Sequence, residues 1–313
     1  ICPDGVLSRF PFTALPARSA DMWLIQERRV AIVPVPQWIV QSESRDAGEI
    51  QSTLLLGDVE FGTNDDGKAE RYTPLPGTAE EVNAIAELIR SKRSDHKLTV
   101  LKGDAATESA FRSAASDHEL VHVATHGYFA PTTRSSDDAS GASSLARGVL
   151  TVASMVTPGA PAIPRADPGE LSRHPGFASG LALAGVNRRE VASTDSQDDG
   201  LLMAFEISQF DLSNVDTIVL SACDTGLGDL AASEGTLGLQ RALHISGART
   251  TIASLWKVDD EATSELMQSF YNNLLGQGMS RIDALREAQL SLLKGAGATP
   301  RKWAAFQLCG DWR

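Results

Sequence analysis

Short apolar runs rich in β-branched residues alternate along this chain with segments of helical periodicity, and this alternation is the strongest constraint on its fold. Apolar runs of this length are typical of strands buried on both faces of a parallel sheet. The pattern therefore predicts an α/β protein with a mainly parallel sheet. The candidate strands are Arg29–Val35, Ser52–Phe61, Lys97–Gly103, Glu119–His126, Asp216–Cys223, Arg249–Val258 and Ala304–Gly310.

Four amphipathic helices are predicted between these strands. The first opens at Thr78, where the sequence Thr-Ala-Glu-Glu has the form of a capping box. The others begin and end at polar or glycine positions that suit helix termini. They are predicted from about Glu234 to Ile245, from after Asp260 to near Gly276, and from Ser280 to near Gly295.

The interval from Pro131 to Gly200 interrupts the alternation. It is rich in Ser, Asp, Pro, Gly and Ala, it contains Arg147, Arg165 and Arg173, and it has little periodicity. Such a composition predicts a long surface loop or a partly disordered insertion. A loop at this place is expected to act as a lid, a processing site or a binding arm, or to be only a tolerated insertion.

Composition excludes several classes of function. The net charge of −12 argues against sequence-independent binding of nucleic acid, which depends on Lys and Arg neutralising phosphates. No apolar stretch approaches the ~20 residues that span a bilayer, and no segment has the pattern of a signal peptide. The three cysteines are widely spaced, which fits neither a disulfide framework nor a metal site. We expect a cytoplasmic protein with no cofactor and no metal.

Two candidate strands end in residues that form catalytic pairs in other proteins. Glu119-LVHVATHGYF places His126 before a glycine, and Val215-DTIVLSACDTGLG places Cys223 after an apolar run. Reactive groups in open α/β sheets gather at the carboxyl ends of strands, so we expect both side chains to reach one crevice. Each residue alone has an ordinary alternative, because a histidine is often a satisfied polar group and a cysteine a small buried hydrophobe.

Other histidine and cysteine residues are interpreted as structural. His122 lies within its strand and has the side-chain parity opposite to Val121 and Val123. Cys2 lies near a terminus, and Cys309 lies inside an apolar run. None of the three is expected to take part in chemistry.

Many further segments, spread over almost the whole chain, carry a family resemblance. They are Asp4-GVLSRFPFTALP, Leu75-PGTAEEV, Ala106-TESAF, Ala124-THGYF, Ser179-GLALAG, Asp199-GLLMAFEI, Val219-LSACDTGLG, Glu234-GTLGLQRAL, Gly247-ARTTIASLWKVDDEAT, Phe270-Y, Ala284-LREAQ and Trp303-AAFQLCGDW. In this order they resemble the CHAT domain, a branch of the caspase-like and separase-like cysteine peptidases. The resemblance implies a caspase-like three-layer α/β sandwich. It also implies one domain over 1–313, with an N-terminal part at 1–105, a catalytic part at 106–313 and the long loop at 131–200.

The resemblance places His126 and Cys223 at the family's catalytic positions. A thiolate is the nucleophile in such enzymes, and a cationic neighbour favours its ionisation. We expect Cys223 to attack the scissile carbonyl and His126 to deliver a proton to the leaving amine, with an acyl-enzyme between the two steps. The backbone amides of Gly127 and Cys223 are expected to bind the oxyanion. Gly127 also suits an ordinary turn at the end of a strand.

Substrate binding is predicted from the segment Ser254-LWKVDD, which resembles the strand beside which peptides pair in caspase-like enzymes. Asp260 resembles the acid that selects a basic side chain before the cut in separases, and it equally suits the N-cap of the following helix. Asp224 is an alternative for the same pocket, and Asp259 a weaker one. Trp256 is expected either to flank the peptide or to fill core.

Partners and alternative functions follow from the same residues. CHAT domains often adjoin helical repeats, so we expect this chain to be the C-terminal part of a longer protein, regulated by such a domain or partner and latent alone. One alternative is a catalytically silent interaction module of the same fold. Another is a nucleotide-binding domain using Thr225-GLG, which lacks the third glycine of a dinucleotide fingerprint.

Overall fold

The computed structural model describes residues 1–4, 7–8, 10–19, 21–43, 48–63, 72–129, 179–188, 198–221, 238–256, 258–295 and 298–313. Nine strands form two sheets within these residues. The strands are β1 Ser52–Val59, β2 Lys97–Gly103, β3 Leu120–Val123, β4 Gly127–Phe129, β5 Ser179–Ala182, β6 Leu201–Met203, β7 Thr217–Leu220, β8 Thr250–Ser254 and β9 Phe306–Gly310.

The larger sheet has the order β2-β1-β3-β7-β8-β9. The first five strands are parallel, and only β9 runs antiparallel to its neighbour β8. β4, β5 and β6 form a separate antiparallel sheet. The prediction of a mainly parallel sheet is confirmed.

The strand predicted at Arg29–Val35 is wrong. Only Ile32 pairs there, through an isolated bridge to Cys309 of β9. Its amide donates to Leu308 O (2.9 Å), and its carbonyl accepts from Gly310 N (2.8 Å). Pro34 follows two residues later and has no amide hydrogen, so the ladder stops there.

The helices differ in one instructive way from the prediction. The first long helix begins at Pro76 rather than at Thr78, because proline is well suited to a first helical position and supplies the fixed φ angle. The predicted capping box is therefore wrong, and Glu81 faces the interior.

The helices are α1 Leu24–Glu27, α2 Gln37–Glu43, α3 Pro76–Lys92, α4 Glu108–Ala115, α5 Ala204–Ile207, α6 with its described part at 238–245, α7 Asp260–Tyr271 continuing as a π-helical turn Asn272–Gly276, α8 Arg281–Lys294 and α9 Pro300–Trp303.

Alternate residues of the central strands face two separate cores, which makes the fold a three-layer sandwich. Leu54 and Leu56 of β1 pack on the side of α4, α5, α6 and the small sheet. Leu55 packs on the opposite side, with α3, α7 and α8. The predicted three-layer α/β fold is confirmed. None of the described helices is long and apolar enough to cross a membrane.

Part of the predicted loop at 131–200 is ordered sheet. Ser179–Ala182 form β5 and pair with both β4 and β6. Gly180 permits this, since a Cβ there would lie 2.6 Å from Leu202 O. The remaining residues of that interval up to 178, and residues 189–197, lie outside the described part of the chain.

Candidate active site

His126 lies in the short link between β3 and β4, at the carboxyl end of the parallel sheet. Its side chain is 5% exposed and packs against the rings of Phe61 and Tyr72, with centroids 5.0 and 5.6 Å away. Its Nε2 atom lies 2.7 Å from the carbonyl oxygen of Thr73. A carbonyl only accepts, so Nε2 carries a hydrogen and donates it. The neutral ring then keeps Nδ1 as its basic atom.

The segment that contains Thr73 leads directly into α3, and the start of α3 is held against the sheet. Thr78 Oγ1 donates to Leu75 O (2.7 Å) and accepts from Asp58 N (3.0 Å), which ties the start of α3 to the end of β1. A Cβ at Gly57 would lie 2.6 Å from the Val82 side chain, so the glycine allows α3 to approach β1 closely. The sequence does not predict Thr73 as part of the site, because Thr73 contributes only its backbone carbonyl and every residue type has one.

The strand that leads to Cys223 is the immediate neighbour of the strand that leads to His126. Val123 and Leu220 are register partners in β3 and β7, and Ser221 N donates to Val123 O at 2.9 Å. His126 and Cys223 each follow those partners by three residues. Cys223 itself lies outside the described residues, as do Asp224 and the Thr225-GLG segment.

The amide of Gly127 is directed away from β5. Gly127 and Leu181 are opposite each other, and the adjacent bond runs from Ala182 N to His126 O at 2.9 Å. In an antiparallel ladder, bonded and non-bonded pairs alternate, so the Gly127 N–H points outward from the edge strand β4. This direction suits an amide that binds a ligand oxygen beside His126.

Asp260 is the first residue of α7 and is exposed. The interpretation of Asp260 as the N-cap is wrong, because Asp259 occupies that position and its Oδ1 accepts from Ala262 N at 3.2 Å. The carboxylate of Asp260 lies instead against Gly77, where its Oδ2 is 2.7 Å from the position that a Cβ would take. Asp260 therefore adjoins the first turn of α3, four residues after Thr73, whose carbonyl holds His126.

Ser254 and Trp256 occupy less open positions than predicted. Ser254 is buried at the end of β8, opposite Phe306, and β8 is flanked by β7 and β9. The predicted strand to Val258 stops at Ser254, so peptide pairing would have to involve backbone beyond it. Trp256 is half-buried against the core, and its Nε1 donates to Arg301 O at 2.8 Å. Both features favour a packing role for Trp256.

A metal site is not found in the part of the chain that the structure describes, where no group of three or more His, Cys, Asp or Glu side chains could hold an ion. The family is settled by a match that spans nearly the whole chain. Residues 1–311 match the model of the CHAT domain. The chain belongs to the CHAT family.

Relatives of this CHAT domain include a repeat protein found in two mammals. The Tetratricopeptide repeat protein 28 of Homo sapiens is 24% identical over 327 residues, covering 98% of this chain and 12% of that protein. Its Mus musculus counterpart is 28% identical over 244 residues, covering 77% of this chain and 9% of that protein. The CHAT domain thus spans about a tenth of the length of these curated relatives.

Solved structures similar to this CHAT domain include two of one bacterial proteinase. The crystal structure of the Arg specific cysteine proteinase gingipain R has a TM-score of 0.48 and 13% identity, covering 88% of this chain and 51% of that one. The complex of Porphyromonas gingivalis RgpB pro- and mature domains has a TM-score of 0.48 and 12% identity, covering 91% and 56%.

Proposed function

We propose that this CHAT domain is a cysteine endopeptidase that uses His126 and Cys223 as a catalytic dyad. The observation that carries the proposal is the hydrogen bond from His126 Nε2 to the Thr73 carbonyl, made at the end of the strand adjacent to the one that leads to Cys223. An imidazole anchored through one nitrogen offers the other to a reacting group in a fixed direction. Membership of the CHAT family supports the same hypothesis of a catalytic dyad.

Thr73 gives His126 a defined tautomer. With Nε2–H held by the carbonyl, Nδ1 is the atom that exchanges protons with the thiol and the leaving amine. The same bond remains when the ring becomes an imidazolium, so the carbonyl dipole also stabilises the positive charge. Phe61 and Tyr72 restrict the ring on its flanks and limit water around it.

The reaction proceeds in two stages. Cys223 gives its thiol proton to His126 Nδ1, and the thiolate attacks the peptide carbonyl carbon and forms a C–S bond, while the amides of Gly127 and Cys223 bind the oxyanion. His126 Nδ1–H then protonates the leaving nitrogen as the C–N bond breaks. In the second stage a water molecule attacks the thioester carbon and gives a proton to His126 Nδ1. The C–S bond then breaks, the carboxylic acid is released, and His126 returns the proton to the thiolate.

Asp260 is proposed to select Arg or Lys before the scissile bond. Its exposed carboxylate lies on Gly77, four residues beyond the carbonyl that holds His126. A carboxylate at that place would attract a basic side chain by charge and by hydrogen bonds. Asp224 stays an alternative for this role, and Ser254 and Trp256 are proposed only to border the bound peptide.

The test is a profile of peptide cleavage with varied residues before the cut. We expect cleavage after Arg or Lys that is abolished in Cys223→Ala and His126→Ala. Asp260→Asn should reduce the preference for basic residues, whereas Glu261→Gln, which removes the adjacent exposed carboxylate, should leave the preference intact. Cleavage after Asp or after apolar residues would contradict the pocket assignment, and cleavage that survives Cys223→Ala would contradict the dyad.

We further propose that helical repeats regulate the domain, since the named relatives are tetratricopeptide repeat proteins. Adding such a repeat segment should change the rate of peptide cleavage by the CHAT domain. A silent interaction module is the competing function, and the Cys223→Ala variant separates the two. Partner binding without any cleavage by the parent protein would favour the silent module.

A further inference from the structure

Four polar side chains meet on the α3 side of the sheet, in a place otherwise filled by apolar residues. They are Glu81 of α3, His122 of β3, Ser221 just after β7 and Tyr271 at the end of α7, and they are called here the Glu81 cluster. Glu81 is 4% exposed, and His122 and Tyr271 have no exposed surface. The reaction proposed above uses none of them.

Glu81 contacts both strands that lead to the dyad. Its Oε2 accepts a hydrogen bond from Ser221 Oγ at 3.1 Å. Its Oε1 lies 3.3 Å from His122 Nε2. The ring of Tyr271 closes the cluster, edge-on to the His122 ring with centroids 5.6 Å apart. Burial, together with the charge of Glu81, raises the pKa of Tyr271 well above its usual range, so its hydroxyl stays protonated.

Stability does not account for this cluster. Glu81 Oε1 and His122 Nε2 face each other at 3.3 Å without hydrogen-bond geometry, and His122 Nδ1 and the Tyr271 hydroxyl have no hydrogen-bond partner among the described residues. Each buried polar group left in that condition costs about 1–3 kcal/mol. The neighbouring inward positions of α3, Val82 and Ile85, are apolar and fully buried. An apolar residue at position 81 would avoid this cost, so packing among the described residues does not by itself explain a carboxylate there.

The connections of Glu81 indicate a role beyond packing. Ser221 precedes Cys223 by two residues, and His122 precedes His126 by four. Glu81 also belongs to α3, and the segment that precedes α3 holds His126 through the Thr73 carbonyl. The Glu81 carboxylate thus bonds directly to Ser221 at the end of β7. Through α3 it is also connected to Thr73, whose carbonyl holds His126.

We propose that Glu81 and Ser221 are positioning residues that fix the end of β7 relative to β3, so that the thiol of Cys223 is held at Nδ1 of His126. The inference rests on the proposed dyad and adds to it the device that aligns the two partners. The hydrogen bond from Ser221 Oγ to Glu81 adds a side-chain contact to the backbone bond from Ser221 N to Val123 O, and it holds the residue at the end of β7 from two directions.

The rate of Cys223 alkylation by iodoacetamide between pH 5 and 10 tests the proposal without requiring a substrate. The protein carries Cys2→Ser, because Cys2 is exposed, whereas Cys309 is buried and burial raises its thiol pKa to about 12. A thiol aligned with His126 reacts as a thiolate below the ordinary pKa of about 8.5. We expect Ser221→Ala to move the alkylation profile upward by about one pH unit, which slows the reaction about tenfold near neutrality. Ser221→Thr, which keeps the hydroxyl, should restore the parent profile.

Position 81 offers a second pair of variants. Glu81→Leu should match Ser221→Ala in its alkylation profile while its melting temperature stays equal or rises, because a buried carboxyl group is replaced by an apolar group. Glu81→Gln keeps an oxygen that accepts from Ser221 and should lie within twofold of the parent. The matched control is Ser246→Ala, since Ser246 is a buried serine whose Oγ donates to Ala242 O on α6. It should leave the profile unchanged.

The outcomes separate the two proposals. If His126→Ala shifts the alkylation profile and neither Ser221→Ala nor Glu81→Leu does, the positioning role is overturned and the dyad stands. If the parent shows an ordinary thiol profile that His126→Ala does not change, the dyad fails and the positioning role fails with it. Shifts in all three variants, with rescue by Ser221→Thr, support the proposal.

Discussion

Glu108 lowers the free energy of unfolding as pH rises. An acid whose pKa is depressed in the folded state has the opposite effect. Glu108 is the first residue of α4, is 2% exposed, and accepts a hydrogen bond from Gly200 N at 2.7 Å. Burial raises its pKa from 4.5 to about 8, with further contributions from the charges of Asp199, Glu206 and Asp198. The perturbation that tests this is Glu108→Gln, which keeps the shape and the acceptor but removes the ionisation.

The size and sign of the effect follow from the two states. Below pH 4.5 the carboxyl is protonated in both folded and unfolded chains, so it contributes no pH dependence. Between pH 4.5 and about 8 it ionises only in the unfolded chain. The free energy of unfolding therefore falls by about 1.4 kcal/mol for each unit by which the pH rises. The loss reaches about 3 kcal/mol at pH 7 and levels off near 5 kcal/mol above pH 8.

The assay is the free energy of unfolding by urea, measured from pH 4.5 to 8.5 for the parent and for Glu108→Gln. The variant should equal the parent at the acid end and exceed it increasingly as pH rises. Glu265→Gln, which removes an exposed carboxylate of α7, serves as the control and should follow the parent throughout. Parallel curves for the parent and Glu108→Gln would refute the reasoning.

Two further predictions concern the interior. Asp216→Asn should destabilise the fold by about 3–5 kcal/mol in the same unfolding assay, because it removes the charged partner of a buried arginine. Arg281 is 3% exposed, and its Nε donates to Asp216 Oδ2 at 2.7 Å. Equal stability of parent and variant would contradict this. Cys309 should resist alkylation at pH 8 in the folded protein and react fully in urea, as read by mass spectrometry, because burial raises its pKa to about 12; prompt labelling of the folded chain would show that the thiol is accessible.

The strands and the two-sided burial of the sheet were predictable because apolar runs such as Thr53–Leu56 have no other stable location. The predictions of helix starts were wrong where the same residue type suits two structural roles. Thr78 and Glu81 match a capping box, yet Pro76 starts the helix earlier and turns Glu81 inward. Asp260 and Asp259 are both suited to cap α7, and only the backbone path decides that Asp259 does so.

The site was predictable only as far as residue types carry chemistry. His126 and Cys223 stand out by type and position, and the strands that precede them, β3 and β7, are adjacent in the sheet. The partner of His126 is a backbone oxygen that every residue possesses, so Thr73 is visible only in three dimensions. β5 falls within the predicted loop because Ser179–Ala182 contain a single large apolar residue, Leu181, which is too little to give a strand pattern.

The central claim is that Cys223 forms an acyl-enzyme with help from His126. The most direct measurement is intact and peptide-level mass spectrometry of the protein, quenched with acid during turnover of a peptide ester that carries Arg before the scissile bond. We predict one acyl group per chain, located on Cys223 and formed much more slowly in His126→Ala. Hydrolysis of the ester with the acyl group on another residue, or at an unchanged rate in Cys223→Ala, would contradict the account.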